Sequence, residues 1–235
     1  MAKSSLKDVF DKRVQCLNDH DPWRYGEKLS LKTDMIELSW IVKHLQKGNL
    51  LDMGCGTGRH CIELSKKFPH IKINAFDFAP NNIRIFNQKI KEENTNLNIQ
   101  TKVCHVEDII NVYKDKNFNN MLSIGLIQYL NNKELKKYFK DCYSLLDFGG
   151  IMMIKHPTSF LKTFIFEGYS ELLKSKYKSR YRNFQDISEV VYPYFEIEKV
   201  ERVFNSKNLN QKELNNVEQN KKTKQFWFLL RKKIK

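Results

Sequence analysis

Seven consecutive residues, Asp52-Met53-Gly54-Cys55-Gly56-Thr57-Gly58, carry the densest chemical signal in this sequence. They follow a short apolar run at 49–53 that reads as a buried strand, and they precede a helical pattern at 59–68. A glycine loop in that position turns the backbone sharply, aims a helix N-terminus at a ligand and lets the ligand approach closely. Nineteen residues beyond Gly58, Asp77 closes a second strand-like run at 71–76. A carboxylate there can accept both hydroxyls of a ribose. Loop and acid together therefore point to a nucleoside-containing ligand. The dinucleotide fingerprint G-x-G-x-x-G would need glycine at position 59, where Arg59 stands; the third glycine comes one position early.

The order D-x-G-x-G-x-G instead resembles motif I of the class I S-adenosylmethionine-dependent methyltransferases, and the resemblance extends from about Asp21 to the end of the chain. It implies S-adenosyl-L-methionine as cofactor. On that resemblance Asp52 helps to hold the methionine amino group, Gly54 and Gly56 line the cofactor, Asp77 binds the ribose, and Phe78 lies beside the adenine. The family's adenine-contacting acid falls within Cys104-His105-Val106-Glu107-Asp108; His105 stands where an Asp is usual, which leaves the Val106 backbone and Glu107 as the implied contacts. The segment 119–130 resembles motif IV, with Asn120 at its usual leading Asp. It implies a backbone contact at Ile124 or Gly125 and sets Gln128 and Tyr129 toward the reacting methyl.

Methyl transfer from a sulfonium is an in-line displacement, so positioning and exclusion of water supply most of the rate. A general base is required only when the acceptor must lose a proton. His156, next to Pro157 at the end of the run Met152–Lys155, is the base expected from location, because imidazole titrates near neutrality. Tyr129 is the second catalytic candidate and His20 a further one. No two histidines stand three or four residues apart, and no metal is expected.

Two covers are expected over the carboxyl ends of the strands. One is the N-terminal lead-in, 1–32, with Trp23 on the acceptor and Tyr25 on the cofactor; aromatic faces suit a sulfonium. The other is an insert at 158–194, read as helical near 161–177. There aromatics alternate with cations, and Arg180 and Arg182 are the expected grips on an anionic acceptor.

The elements that must position these residues follow from pattern. Strand-like runs at 49–53, 71–76, 99–104, 120–124 and 150–155 alternate with helical stretches. Two more, at 195–204 and 225–230, are joined by a polar stretch at 205–224 that reads as a loop. This is an α/β, doubly wound, Rossmann-like sheet of seven strands, mostly parallel with a terminal antiparallel hairpin, in one domain spanning 1–235. Five scattered cysteines, none in a C-x-x-C pair, argue against a disulfide framework and for a reducing cytoplasm. The N-terminus has no apolar signal region, and no run approaches membrane-spanning length, so no membrane insertion is expected.

The formal charge of +14 comes from lysines spread along the whole chain of 235 residues, not from one basic block. The expected acceptor is a small molecule, anionic or hydroxyl-rich: a sugar, nucleotide-sugar or phosphorylated intermediate, methylated on O or N by a monomer or homodimer. An RNA methyltransferase is the second reading, resting on charge. A non-catalytic cofactor-binding domain is the third, resting on His105 and Asn120.

Overall fold

The structure, a computed structural model, describes residues 10–11, 27–93, 96–170, 175–217 and 222–234. Helix α1 (Glu27–His44) precedes β1 (Leu50–Met53), α2 (Arg59–Lys67), β2 (Ile73–Asp77), α3 (Pro80–Glu92) and β3 (Ile99–Val103). Then come α4 (Ile109–Tyr113), β4 (Phe118–Ile124), α5 (Asn132–Leu145) and β5 (Leu146–Ser159). A hairpin of β6 (Phe164–Ser170) and β7 (Ser175–Tyr181) interrupts the alternation. After it follow α6 (Phe184–Val191), β8 (Phe195–Arg202), α7 (Gln211–Val217) and β9 (Thr223–Lys232).

Seven strands form one sheet in the order β3-β2-β1-β4-β5-β9-β8. Neighbours from β3 to β5 are parallel, and β9 runs antiparallel to both β5 and β8, as the sequence led us to expect. Strand residues alternate between two cores. Leu51, Met53, Met121, Met152 and Ile154 pack against α4, α5 and α6. Leu50, Leu122, Ile151 and Met153 pack against α1, α2, α3 and α7. That two-sided burial explains why these strands read as continuous apolar runs. Local signals fix the helix starts: Pro80 opens α3, and Asn131 with Glu134 forms a reciprocal capping box on α5. Helix α1 is pinned to the sheet by Trp40, stacked on Trp227 at 4.4 Å.

Three expectations are corrected. The stretch read as helical near 161–177 is the β6–β7 hairpin, because Lys176, Lys178 and Arg180 alternate with Tyr177, Ser179 and Tyr181 at the period of a strand. Pro157 does not stop β5, which continues to Ser159. The last β4 partner on β5 is Lys155, so beyond it one edge of β5 is unpaired in the sheet and a missing N–H is tolerated. The polar stretch 205–224 contains α7, which buries Leu214 and Val217.

The chain order reverses between β1 and β4, and at such a switch point an open α/β sheet offers a crevice outside the strand ends. The glycine loop leaves β1 at that crevice. Among the described residues, no helix is long and apolar enough to cross a membrane.

Candidate active site

The glycine loop is held by the strand beside it. Gly54 and Cys55 both donate their N–H to the Phe76 carbonyl at 2.9 Å. Asp77 then braces the loop, its two oxygens accepting from the N–H groups of Gly56 and Ala79 at 2.9 Å each. Burial raises the Asp77 carboxyl above its usual range, against the effect of those bonds. The Asn82 side chain adds a third hydrogen bond, which leaves the carboxylate one lone-pair direction in which a ribose hydroxyl can donate.

The glycines divide the work. At Gly58 (φ +79°) an added Cβ would lie 2.0 Å from the Phe86 ring, so this glycine lets α3 pack on the loop. At Gly56 (φ +56°) an added Cβ would meet nothing within 4 Å: this side of the loop faces open space. Gly56 is thus the floor of a cradle that a side chain would fill. Gly54 (φ +73°) backs onto Leu126.

Asp52 is 4 % exposed, and no cation pairs with it among the described residues; the Cys61 thiol donates to its Oδ2 at 3.0 Å. Burial raises its carboxyl to about 7, with the nearby Asp77 charge adding to the rise and the Cys61 bond opposing it. A buried acid of this kind suits a ligand that brings its own ammonium group. The Cys61 contact was not foreseen in the sequence, although its position in the first turns of α2 puts it under β1.

Aromatic rings line the adjoining wall. Phe10 packs edge-on against Phe78 at 5.5 Å and against Tyr129 at 5.2 Å, and His105 packs edge-on against Phe78 at 5.6 Å. Asp11 accepts from the Asn81 N–H at the start of α3. The lead-in therefore reaches the site through Phe10 and Asp11. Trp23, Tyr25 and His20 lie outside the described residues. Val106, half-buried, and Glu107, exposed, begin a short turn after β3. Gln128 and Tyr129, both half-buried, sit on the turn after β4. The Gly125 N–H bonds the Lys155 carbonyl, and Ile124 sits beside it at the end of β4. Asn120 is a structural residue, exchanging hydrogen bonds with the Gln46 backbone below the sheet.

Two expected site residues turn inward. His156 is fully buried in β5; its Nε2 accepts from the Arg182 N–H, and its Nδ1 has no partner among the described residues. Burial and then the Arg182 charge hold it down at about 3, too weak a base for proton removal at neutral pH. Arg182 is 2 % exposed and donates to the carbonyls of Ile127 and Leu130 and to Asn132 Oδ1. It is the clamp that shapes the turn carrying Tyr129, and it does not reach for an acceptor. Arg180 is half-buried on β7.

One cluster escaped the sequence reading. Glu37, 3 % exposed on α1, lies 2.5 Å from Lys155 Nζ, 3.0 Å from Arg59 Nη2 and 3.2 Å from His60 Nε2. Burial alone would raise its carboxyl, but the Lys155 charge and the His60 contact hold it at about 2. Arg59 also pairs with Asp34. The signal was an acid inside the apolar stripe of α1, between Ile36 and Leu38. Asp34, Glu37 and His60 bring potential metal-ligand atoms together. Arg59 and Lys155 already neutralise the two carboxylates, so the cluster is an ion-pair network tying α1 to the glycine loop and to β5.

Comparison with known proteins agrees with this arrangement. The sequence profile of the "Methyltransferase domain" family matches residues 50–150, from β1 into β5. A malonyl-[acyl-carrier protein] O-methyltransferase from Ilyobacter polytropus is 28 % identical over 157 residues, covering 63 % of this chain and 53 % of that protein. One from Bacillus cereus is 31 % identical over 123 residues, covering 52 % and 40 %. The chain thus matches about half the length of these curated relatives or less. Among solved structures, a geranyl diphosphate C-methyltransferase from Streptomyces coelicolor superposes with a TM-score of 0.69 at 11 % identity, over 99 % of this chain and all of that one. A methyltransferase from Clostridium acetobutylicum gives 0.59 at 16 % identity, over 86 % and 91 %. These likenesses carry the fold alone. The profile match, which spans the glycine loop, Asp77 and the Tyr129 turn, identifies residues 50–150 as a methyltransferase domain.

Proposed function

We propose that this protein transfers the methyl group of S-adenosylmethionine to a small acceptor, with a carboxylate oxygen as the acceptor atom. The observation that carries the first part is the convergence of three features at one crevice: the buried acid Asp52 with no cation beside it, the open floor at Gly56, and Asp77 at the end of the neighbouring strand with a lone pair left for a ribose hydroxyl. When bound, the cofactor supplies an electrophilic methyl on a good leaving group. Asp52 holds the methionine ammonium, Asp77 the ribose, and Phe78 with the Val106–Glu107 turn the adenine. Phe10 and Tyr129 cover the crevice and exclude water.

The choice of a carboxylate rests on what His156 cannot do. With that imidazole sealed inside the sheet, an acceptor already ionised at neutral pH needs no proton removed. The matched relatives are named as O-methyltransferases of malonyl-[acyl-carrier protein], which supports the same reading. Incubation with methyl-labelled cofactor and a panel of mono- and dicarboxylates, free and as half-thioesters, should yield base-labile methyl esters. Rates at saturating cofactor should vary little between pH 6.5 and 8.5. His156→Asn should lower turnover by less than about tenfold, against the roughly 10²–10⁴-fold loss expected of a general base. Methylation confined to hydroxyl or amine acceptors would overturn the carboxylate reading.

A further inference from the structure

The β6–β7 hairpin has two chemically different faces. Its register sets Phe164 opposite Tyr181, Phe166 opposite Ser179 and Gly168 opposite Tyr177 on one face. The other face carries Ile165, Glu167 and Tyr169 opposite Arg180, Lys178 and Lys176. On the first face Phe164 stacks on Tyr181 at 5.1 Å, and Phe166 meets Tyr177 at 5.7 Å. Gly168 lies beneath these rings, since an added Cβ would stand 2.6 Å from Phe166 and 3.1 Å from Tyr177. The second face is exposed and mixed, its three cations standing opposite Ile165, Glu167 and Tyr169, with Lys178 paired to Glu167 at 2.5 Å.

The aromatic face is continuous with the candidate site. Strand β7 packs on the Ile127–Tyr129 turn, which Arg182, next after Tyr181, clamps through the Ile127 and Leu130 carbonyls. Burial, with the neighbouring Tyr129 and Tyr177 hydroxyls, pushes the Tyr181 phenol up to about 12. Two ring pairs on the hairpin, Phe164–Tyr181 and Phe166–Tyr177, thus extend away from the Phe78–Phe10–Tyr129 cluster along a strand that packs on the Tyr129 turn. Midway along the face Ser179 is 2 % exposed beneath the rings, while Phe166, opposite it, is 41 % exposed. From Tyr181 to Tyr177 the strand advances about 13 Å.

We propose that the acceptor carries an elongated apolar arm, which lies along the aromatic face of the β6–β7 hairpin while its nucleophilic end meets the methyl beside Tyr129. The proposal rests on reading the crevice as the methyl-transfer site, and it names a substrate class for that site: an amphiphile with a polar head and a chain or ring system of roughly that length. The occupant follows from continuity, since the rings begin at the reacting end and leave it in one direction.

The test is calorimetric binding, with S-adenosylhomocysteine present and below micelle-forming concentrations. Two probe series are used, the saturated carboxylates from butanoate to dodecanoate and the primary alcohols of the same lengths. A fully buried methylene changes affinity by about fourfold, so one laid on a half-open face should give about twofold per carbon. Phe166→Ser and Tyr177→Ser should flatten that dependence over the longer members. Tyr192→Ser, at an exposed position on a different element, should leave it intact, and circular dichroism melts check that each variant is folded. Affinity independent of length, no binding at any length in either series, or an unaltered dependence in folded Phe166→Ser and Tyr177→Ser would overturn the proposal. A length dependence among alcohols but not carboxylates would leave this inference standing and sink the carboxylate reading instead.

Discussion

At the scale of single residues, Asp52 makes the sharpest demand. Its carboxyl is raised from the usual range to about 7 by burial, so the native state holds a proton that the unfolded chain releases near pH 4. Between those values the native state binds more protons than the unfolded state, and stability falls as pH rises through that window. Above pH 7 the full penalty is present, about 4 kcal/mol at most. Asp52→Asn, which keeps an acceptor for Cys61, should therefore raise the melting temperature of the ligand-free protein at pH 8 and have little effect at pH 4.5. The same group couples to the cofactor with the opposite preference, because the ammonium requires the ionised form. Cofactor affinity should fall up to about tenfold per unit as pH drops below 7, and Asp52→Asn should abolish that dependence. A pH-independent dissociation constant in the wild type would remove Asp52 from the ammonium site. Asp77→Ala should weaken cofactor binding by about 1–3 kcal/mol, through lost ribose bonds and a loosened loop. Asp52, Gly56 and Asp77 were legible in the sequence because one loop and one strand end set their geometry. Glu37 and Phe10 were not, because partners such as Lys155 and Phe78 lie far off in the chain and only packing brings them together; Cys61 meets Asp52, nine residues away, only through the turn of the glycine loop.

At the scale of elements, the glycine loop and the β7 clamp make contrasting predictions. Gly58→Ala drives a methyl into the Phe86 ring and strains a left-handed backbone, so it should destabilise the fold by about 2 kcal/mol or more in urea unfolding. Gly56→Val meets open space; its folding cost should be limited to backbone strain of about 1–2 kcal/mol, while its side chain fills the cradle and eliminates cofactor binding. Equal stability losses with binding retained in both would refute the division of labour. Arg182→Ala leaves the Leu130 carbonyl without its donor and the Ile127 carbonyl with only the Leu130 N–H, and should cost about 1–3 kcal/mol. If Arg182→Ala kept full stability and lost only acceptor binding, the residue would be the substrate grip expected from sequence. That expectation failed because a cation among aromatics reads the same whether it faces solvent or a buried turn. The parallel strands were legible from apolar runs bounded by helical patterns. The hairpin was missed because its alternation was read at the wrong period, and the course of β5 past Pro157 depends on where β4 ends.

At the scale of the whole molecule, the sheet order and its switch point account for why loop, acid and aromatic wall meet at all. The net charge of +14 is carried by lysines on many elements, and three of the cations, Lys176, Lys178 and Arg180, lie on one face of a short hairpin. Filter binding of transfer or ribosomal RNA at physiological salt should show no saturable submicromolar affinity, and a tight, steeply salt-dependent isotherm with methyl incorporated into RNA would favour a nucleic-acid acceptor. The central claim is that the crevice over β1 and β2 binds S-adenosylmethionine. Titration calorimetry with S-adenosylhomocysteine, on the wild type and on folded Gly56→Val, tests it most directly. The account predicts saturable one-to-one binding by the wild type, none by Gly56→Val, and none of NAD by either. Undiminished binding by Gly56→Val, or no binding by the wild type, would contradict it.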